Sequence, residues 1–378
     1  MTKQTYTYLH VHGSLYINTN LRAFAVMGYL LFGAKSFYFL DRVNRSYFID
    51  SLVPIVRFAR VVQLTYSFYR KKRAIPRTSP LICTNIDGHC LIVLRQGEYK
   101  VINFKDKKVI TMFPDKLEVA DVEKRVNNLI QAQACELAPK ILSWDLDQRY
   151  VIEYYINYRV PSYQKIRQKE FCSEVYPVLF KIVSSKTPKT IPLNEYFYHL
   201  IDDVHELSKA FSSCNEKQAE RIVSFVTRLV AQAERLSNKE ISLVYSHGDL
   251  SDFNILRNKN KTKIIDWSTF GRRSCYFDLY FFLFVRILRS EEVNRERLSS
   301  EIEEAVENYQ LYLKTRVDGI GIAPDHTTNR YLFYLEFFKL RLEEYVYSNH
   351  EPIAIEEWLD IFEKYERSIV SEPQLIGV

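Results

Sequence analysis

From residue 90 onward the hydrophobic pattern changes its period several times, and each change narrows the folds open to the chain. Residues 90–113 read as three short strands, HCLIVL, YKVINF and KVITMF, separated by the polar turns RQGE and KDK. Tight turns of this kind join antiparallel neighbours. Residues 118–135 then carry Val119, Val122, Val126, Leu129 and Ile130 at helical spacing, and two further strands follow, ILSWD and RYVIEYYI. Beyond Thr190 helical periodicity dominates. It is interrupted from Leu243 to Trp267 by a β-like island in which ILR and KIID flank the turn NKNK. A small strand-rich part followed by a larger helical part predicts an α+β, bilobal chain, a layout that puts ligands in the cleft between its lobes.

The island carries the residues with the most chemical content. It reads Ser246-His247-Gly248-Asp249-Leu250-Ser251-Asp252-Phe253-Asn254-Ile255-Leu256, with Ile264-Ile265-Asp266-Trp267 ten residues on. A carboxylate, an amide five residues later and a second carboxylate after a short hairpin suit phosphoryl transfer. Hard oxygen ligands can hold Mg²⁺ on phosphates while one carboxylate aims the attacking oxygen. Glycine-built phosphate loops are excluded: the chain has 10 glycines in 378 residues, and neither G-x-x-x-x-G-K-[ST] nor G-x-G-x-x-G occurs. Only Gly97 is available at the first strand turn.

HGDLSDFNIL, IIDW and the trailing Gly271 and Asp278-Leu279 resemble the aminoglycoside phosphotransferase and choline kinase-like family, which has the protein kinase-like fold and uses ATP with magnesium. The resemblance continues upstream through residues 121–142 and 151–156, and spans roughly residues 85–345. It implies that Asp249 is the catalytic aspartate, that Asn254 and Asp266 are magnesium ligands, and that His247 is structural. It further implies that Glu123 braces an ATP-contacting lysine and that the backbone from Glu153 through Tyr154 to Ile156 meets adenine. One feature departs from the family. The strand KVITMF, where the phosphate-gripping lysine is expected, has an apolar centre, with only Lys108 at its start and Lys116 beyond its end. Two readings therefore stand. One is a phosphotransferase acting on a hydroxyl of a small-molecule, sugar or lipid-linked acceptor, with ATP and Mg²⁺. The other is a weak or inactive kinase-like scaffold.

The charge divides by position. Residues 1–80 hold 12 Lys and Arg against Asp41 and Asp50, a net of +10, while the remainder is net −4. Three parts are expected: a basic, apolar N-terminal extension over 1–80, an ATP-binding N-lobe over 81–157 and a helical C-lobe over 158–378 that carries the catalytic loop. Ala23–Leu40 is interrupted by Lys35, and the stretch from Asp50 to Tyr69 holds Arg57 and Arg60 near its centre, which a spanning helix would have to hide at a cost of several kcal/mol. A helix docked on the next domain and a helix lying on an anionic membrane surface both fit. Nucleic acid is a minor alternative, because no base-reading module is present. Six scattered cysteines without a C-x-x-C pair, and no secretory signal pattern, make a cytoplasmic setting the expectation, at the inner face of a membrane if the basic segment binds one. His10 and His12, with no third ligand near, read as strand histidines.

Overall fold

The computed structural model describes residues 4–41, 53–74, 80–94, 97–161, 168–233, 239–289, 292–316, 325–348 and 355–371. Strands β1 (Tyr6–His12) and β2 (Leu15–Asn18) open the chain. Helix α1 (Ala23–Gly28), a π-helical turn (Tyr29–Gly33), α2 (Tyr38–Asp41) and α3 (Val53–Ala74) follow. Next come β3 (Leu81–Thr84), β4 (Cys90–Val93), β5 (Tyr99–Asn103), β6 (Lys108–Met112), α4 (Val119–Ala132), β7 (Ile141–Asp145) and β8 (Tyr150–Tyr154). The helical part contains α5 (Gln168–Val183), β9 (Lys189–Pro192), α6 (Leu193–Ala233, bent at Asn215) and β10 (Glu240–Ser246). The hairpin β11 (Ile255–Asn258) and β12 (Lys261–Ile264) leads to β13 (Gly271–Ser274), α7 (Phe277–Arg289), α8 (Glu292–Lys314), α9 (His326–Ser348) and α10 (Ile355–Ser371). The α+β order of a sheet-rich part and a helical part is the one expected, and the meander, its helix and the following strand pair fall where the periodicity put them.

Two compact units form: residues 1–165 with 252–268, and residues 166–251 with 269–378. The first is built on an eight-stranded antiparallel sheet in the order β3-β1-β2-β4-β5-β6-β8-β7. This draws the boundaries differently from 1–80, 81–157 and 158–378. β1 and β2 are interior strands, inserted between β3 and β4. One apolar cluster runs from Leu9, Leu15 and Ile17 through Leu30, Val61, Leu64 and Phe68 to Ile102 and Tyr155. The hairpin β11–β12 also belongs to this unit.

The central arginines of α3 explain why its sequence is misleading. Arg57 is buried and donates to Asp41 Oδ1 at 2.8 Å and to the carbonyls of Leu30 and Ala34 at 3.1 and 2.6 Å. Arg60 donates to the Phe39 carbonyl at 3.0 Å. Both side chains face inward and donate to carbonyls of the short helical segments before α3. Among the described residues no helix is long and apolar enough to cross a membrane.

The second unit holds a three-stranded antiparallel sheet, β13-β10-β9, among its helices. Its core is aromatic: Phe284 of α7, Phe333 of α9 and Phe362 of α10 pack with ring centroids 5.0–5.7 Å apart.

Candidate active site

Asp249 belongs to the second unit and is held from behind by its own loop. β10 ends at Ser246, and the buried Asp278 at the start of α7 accepts the N–H groups of His247 (2.7 Å) and Gly248 (3.0 Å) and the Ser246 hydroxyl (3.3 Å). His247 is fully buried and its Nδ1 accepts the Asp249 N–H at 3.2 Å, which fixes the tautomer with the proton on Nε2. The Thr269 hydroxyl closes the turn by donating to the His247 carbonyl at 2.9 Å. Gly248 is required here: its φ is +85°, and a Cβ would stand 2.6 Å from the Thr269 carbonyl oxygen. His247 is thus structural, and Asp278 pairs the buried amides of the loop, which would otherwise lack a partner for their N–H groups.

The Asp249 carboxylate has a partner that the sequence motif does not contain. Arg341, from the middle of α9, donates to Asp249 Oδ1 at 2.7 Å and to Glu344 Oε2 at 2.7 Å, and its guanidinium lies over the rings of Phe281 and Phe337. Burial raises the Asp249 pKa above the ordinary carboxylate range, with Arg341 pulling the other way. Arg341 itself is held charged, because Glu344 and Asp249 outweigh the effect of its burial.

Asn254 and Asp266 belong to the first unit. A single 3₁₀ turn, Asp252–Asn254, buries Asn254, and the Asn254 carbonyl accepts the Ile265 N–H at 2.9 Å, so the backbone on either side of the β11–β12 hairpin is tied together. Tyr38 of α2 packs on Phe253 of that turn, with centroids 4.4 Å apart. Asp266 has φ +72°, a conformation uncommon for residues other than glycine and tolerated best by Asp and Asn. Strain of this sort recurs where a side chain is aimed for function.

Asp266 Oδ1 lies 3.1 Å from Nζ of Lys100. Lys100 is on β5, paired with Thr111 of β6. A lysine absent from the middle of β6 is thus present on its neighbour β5. Burial works to lower the Lys100 pKa, and the carboxylates of Asp266, Glu153 and Glu98 more than offset it, so the ammonium titrates above its ordinary value. Glu153, on β8, is pushed up to about 7 by burial; Lys100 opposes the rise and Asp266 adds to it. The side chain of Glu153 thereby joins a cluster, where only its backbone was expected to act.

Glu123 is not brought to this cluster. It is exposed on α4, and the α4 ion pair runs instead from Arg125 to Glu98, beside the β4–β5 turn. The carboxylates that act on Lys100 are Asp266, Glu153 and Glu98. At the end of β8, Tyr154 is exposed and Ile156 buried; the Tyr154 and Tyr155 amides donate to the carbonyls of Lys140 and Lys107, both at 2.8 Å. Gly97 takes φ +81° at the β4–β5 turn.

The donor set suits Mg²⁺. Asp266 and Asn254 offer a carboxylate and an amide oxygen, hard ligands of the kind that bind this ion together with phosphates and water. Among the described residues no group of three or more His, Cys, Asp or Glu stands ready to hold a metal alone, and a phosphate-completed site needs none. A separate cavity of about 590 Å³ in the second unit is lined by residues including Tyr196, Arg272, Glu336, Lys339 and Glu343. Its α9 members recur at three- and four-residue spacing, a face of the helix from which Arg341 is turned away.

A family model described as the RIO domain matches residues 186–271, the stretch holding His247, Asp249, Asn254 and Asp266. No curated protein matches the sequence. Among solved structures, choline kinase LicA from Streptococcus pneumoniae is similar at 14% identity and a TM-score of 0.45, over 75% of this chain and 94% of that one. A choline kinase from Cryptosporidium parvum is similar at 13% identity and 0.45, over 72% and 85%. Aminoglycoside phosphotransferase APH(3'')-Id from Streptomyces rimosus is similar at 17% identity and 0.39, over 65% and 91%.

Proposed function

We propose that this chain is an ATP- and Mg²⁺-dependent phosphotransferase that moves the γ-phosphoryl group to a hydroxyl of a small-molecule, sugar or lipid-linked acceptor. The observation that carries the reading is the Lys100–Asp266 pair with Glu153 beside it. It supplies a cation next to the candidate magnesium aspartate, the one component the sequence motif lacks, and so favours an enzyme over a scaffold.

In this reading Lys100 meets the α- and β-phosphates, and the backbone at Ile156 faces adenine, the Tyr154 and Tyr155 amides being already committed. Asn254 and Asp266 would hold Mg²⁺, which when bound neutralises charge on the phosphates. Asp249 accepts a hydrogen bond from the acceptor hydroxyl and aims its oxygen at the γ-phosphorus. The new O–P bond forms as the bond from phosphorus to the bridging oxygen breaks, ADP departs with that electron pair, and the hydroxyl proton passes to Asp249. Arg341 keeps Asp249 oriented and ionised for this role.

Asp249→Asn and Asp266→Ala test the assignment in an ATP-turnover assay with melting temperature as the control. Each should lose about 10³-fold or more of the turnover, with the fold intact. Turnover that persists in either folded variant would remove the reading.

A further inference from the structure

The inward turn of Arg57 and Arg60 leaves α3 with an outward face that is apolar where the sequence suggested charge. Ile55, Phe58, Val62, Tyr66 and Tyr69 follow one another at three- and four-residue spacing and are between 41% and 64% exposed. That spacing makes one stripe, opposite the buried face of Arg57, Val61, Leu64 and Phe68. Phe24 and Phe32, on α1 and the π-helical turn that pack against α3, are 84% and 73% exposed.

The stripe ends in exposed positive charge. Arg70, Lys72 and Arg73 occupy the last turns of the helix, and Arg73 lies over the Tyr69 ring at 4.2 Å. The acidic partner that could offset this charge is used elsewhere: Asp41, the one acidic residue among the described residues before Pro80, is engaged by the buried Arg57.

We propose that the outward face of α3 is a docking surface for an anionic lipid bilayer, with the aromatic and aliphatic side chains entering the headgroup boundary and Arg70 and Arg73 meeting lipid phosphates, while Lys72 is held by the Leu21 carbonyl at 2.9 Å. A row of aromatic residues with adjoining basic groups and no acidic ones is the pattern of a helix lying in a membrane interface. A bilayer offers an apolar depth and anionic phosphates together, which matches both the apolar stripe and the basic end of this face. The proposal goes beyond the catalytic reading and is independent of it.

Flotation of the full chain with phosphatidylcholine vesicles and with vesicles containing phosphatidylglycerol tests it. About tenfold more protein should float with the anionic vesicles at low salt, with the excess lost at high salt. Phe58→Glu with Val62→Glu should stay at the bottom of the gradient while keeping the parent melting temperature, and Arg70→Gln with Arg73→Gln should lose the preference for anionic lipid. Failure of the parent chain to float with anionic vesicles would overturn the proposal, as would equal flotation of either double variant. So would a concentration-dependent dimer that Phe58→Glu with Val62→Glu disperses, because a second copy would then be the occupant. ATP turnover is measured on the same samples, so loss of flotation with activity intact separates this proposal from the catalytic one.

Discussion

Asp249 and Asp266 carry the same functional group, and the protein holds them in opposite ways. Asp249 leans on permanent structure: Arg341 is locked between it and Glu344 under two aromatic rings, and the loop behind hangs on the buried Asp278. Asp266 stands in a left-handed backbone conformation and pairs with the ammonium of Lys100, close to Glu153, whose pKa burial pushes up to about 7. A fixed carboxylate suits orienting a hydroxyl. A lysine among carboxylates would suit a polyanion bound with a metal ion: Asp266 would hold the ion and Lys100 would meet a phosphate.

Variants of the two clusters should therefore fail differently. Lys100→Met is expected to have the larger effect, raising KM for ATP and lowering turnover about 10²-fold in total, the loss of a charge-assisted contact to phosphate. Equal kinetics for the parent and Lys100→Met would return the lysine's role to Lys108 or Lys116. Arg341→Met should act on the acid limb of the pH–rate profile. Burial raises the Asp249 pKa and Arg341 opposes it, so removing the guanidinium moves that limb to higher pH and costs about tenfold at mildly acidic pH. Arg341→Lys should recover most of the loss, which a purely structural defect would not. Glu123→Ala, at an exposed position outside both clusters, should change kcat and KM less than about twofold; a tenfold loss would mean that α4 contributes a carboxylate to phosphate binding after all.

The same contrast explains what could be read in advance. His247, Asp249, Asn254 and Asp266 lie within twenty residues, and their spacing is fixed by one loop and one hairpin, so a linear motif carries them. Lys100 reaches its place through sheet register: it sits beside Thr111 on the neighbouring strand, and no spacing along the chain encodes that pairing. The one available signal was a lone lysine inside the apolar strand YKVINF. Arg341 lies 92 residues beyond Asp249 and meets it only because α9 packs within the second unit. The meander, α4 and the β7–β8 pair were legible from period alone. The N-terminal strands were not, because the apolar residues after them and the arginines of α3 suggested a separate basic helix. Burial of Arg57 against open carbonyls reverses which face of that helix is polar.

The most direct test of the central claim is a thermal-shift titration with ATP, with and without Mg²⁺, on the parent chain, Lys100→Met and Asp266→Ala. A ligand that binds only the folded state must raise its melting temperature. The parent should be stabilised by ATP in a magnesium-dependent manner, Lys100→Met should need about 10²-fold more ATP for the same shift, and Asp266→Ala should lose the dependence on magnesium. A parent chain that shows no shift, or variants that shift as the parent does, would contradict the claim that Lys100 and Asp266 form the nucleotide side of a phosphotransferase site.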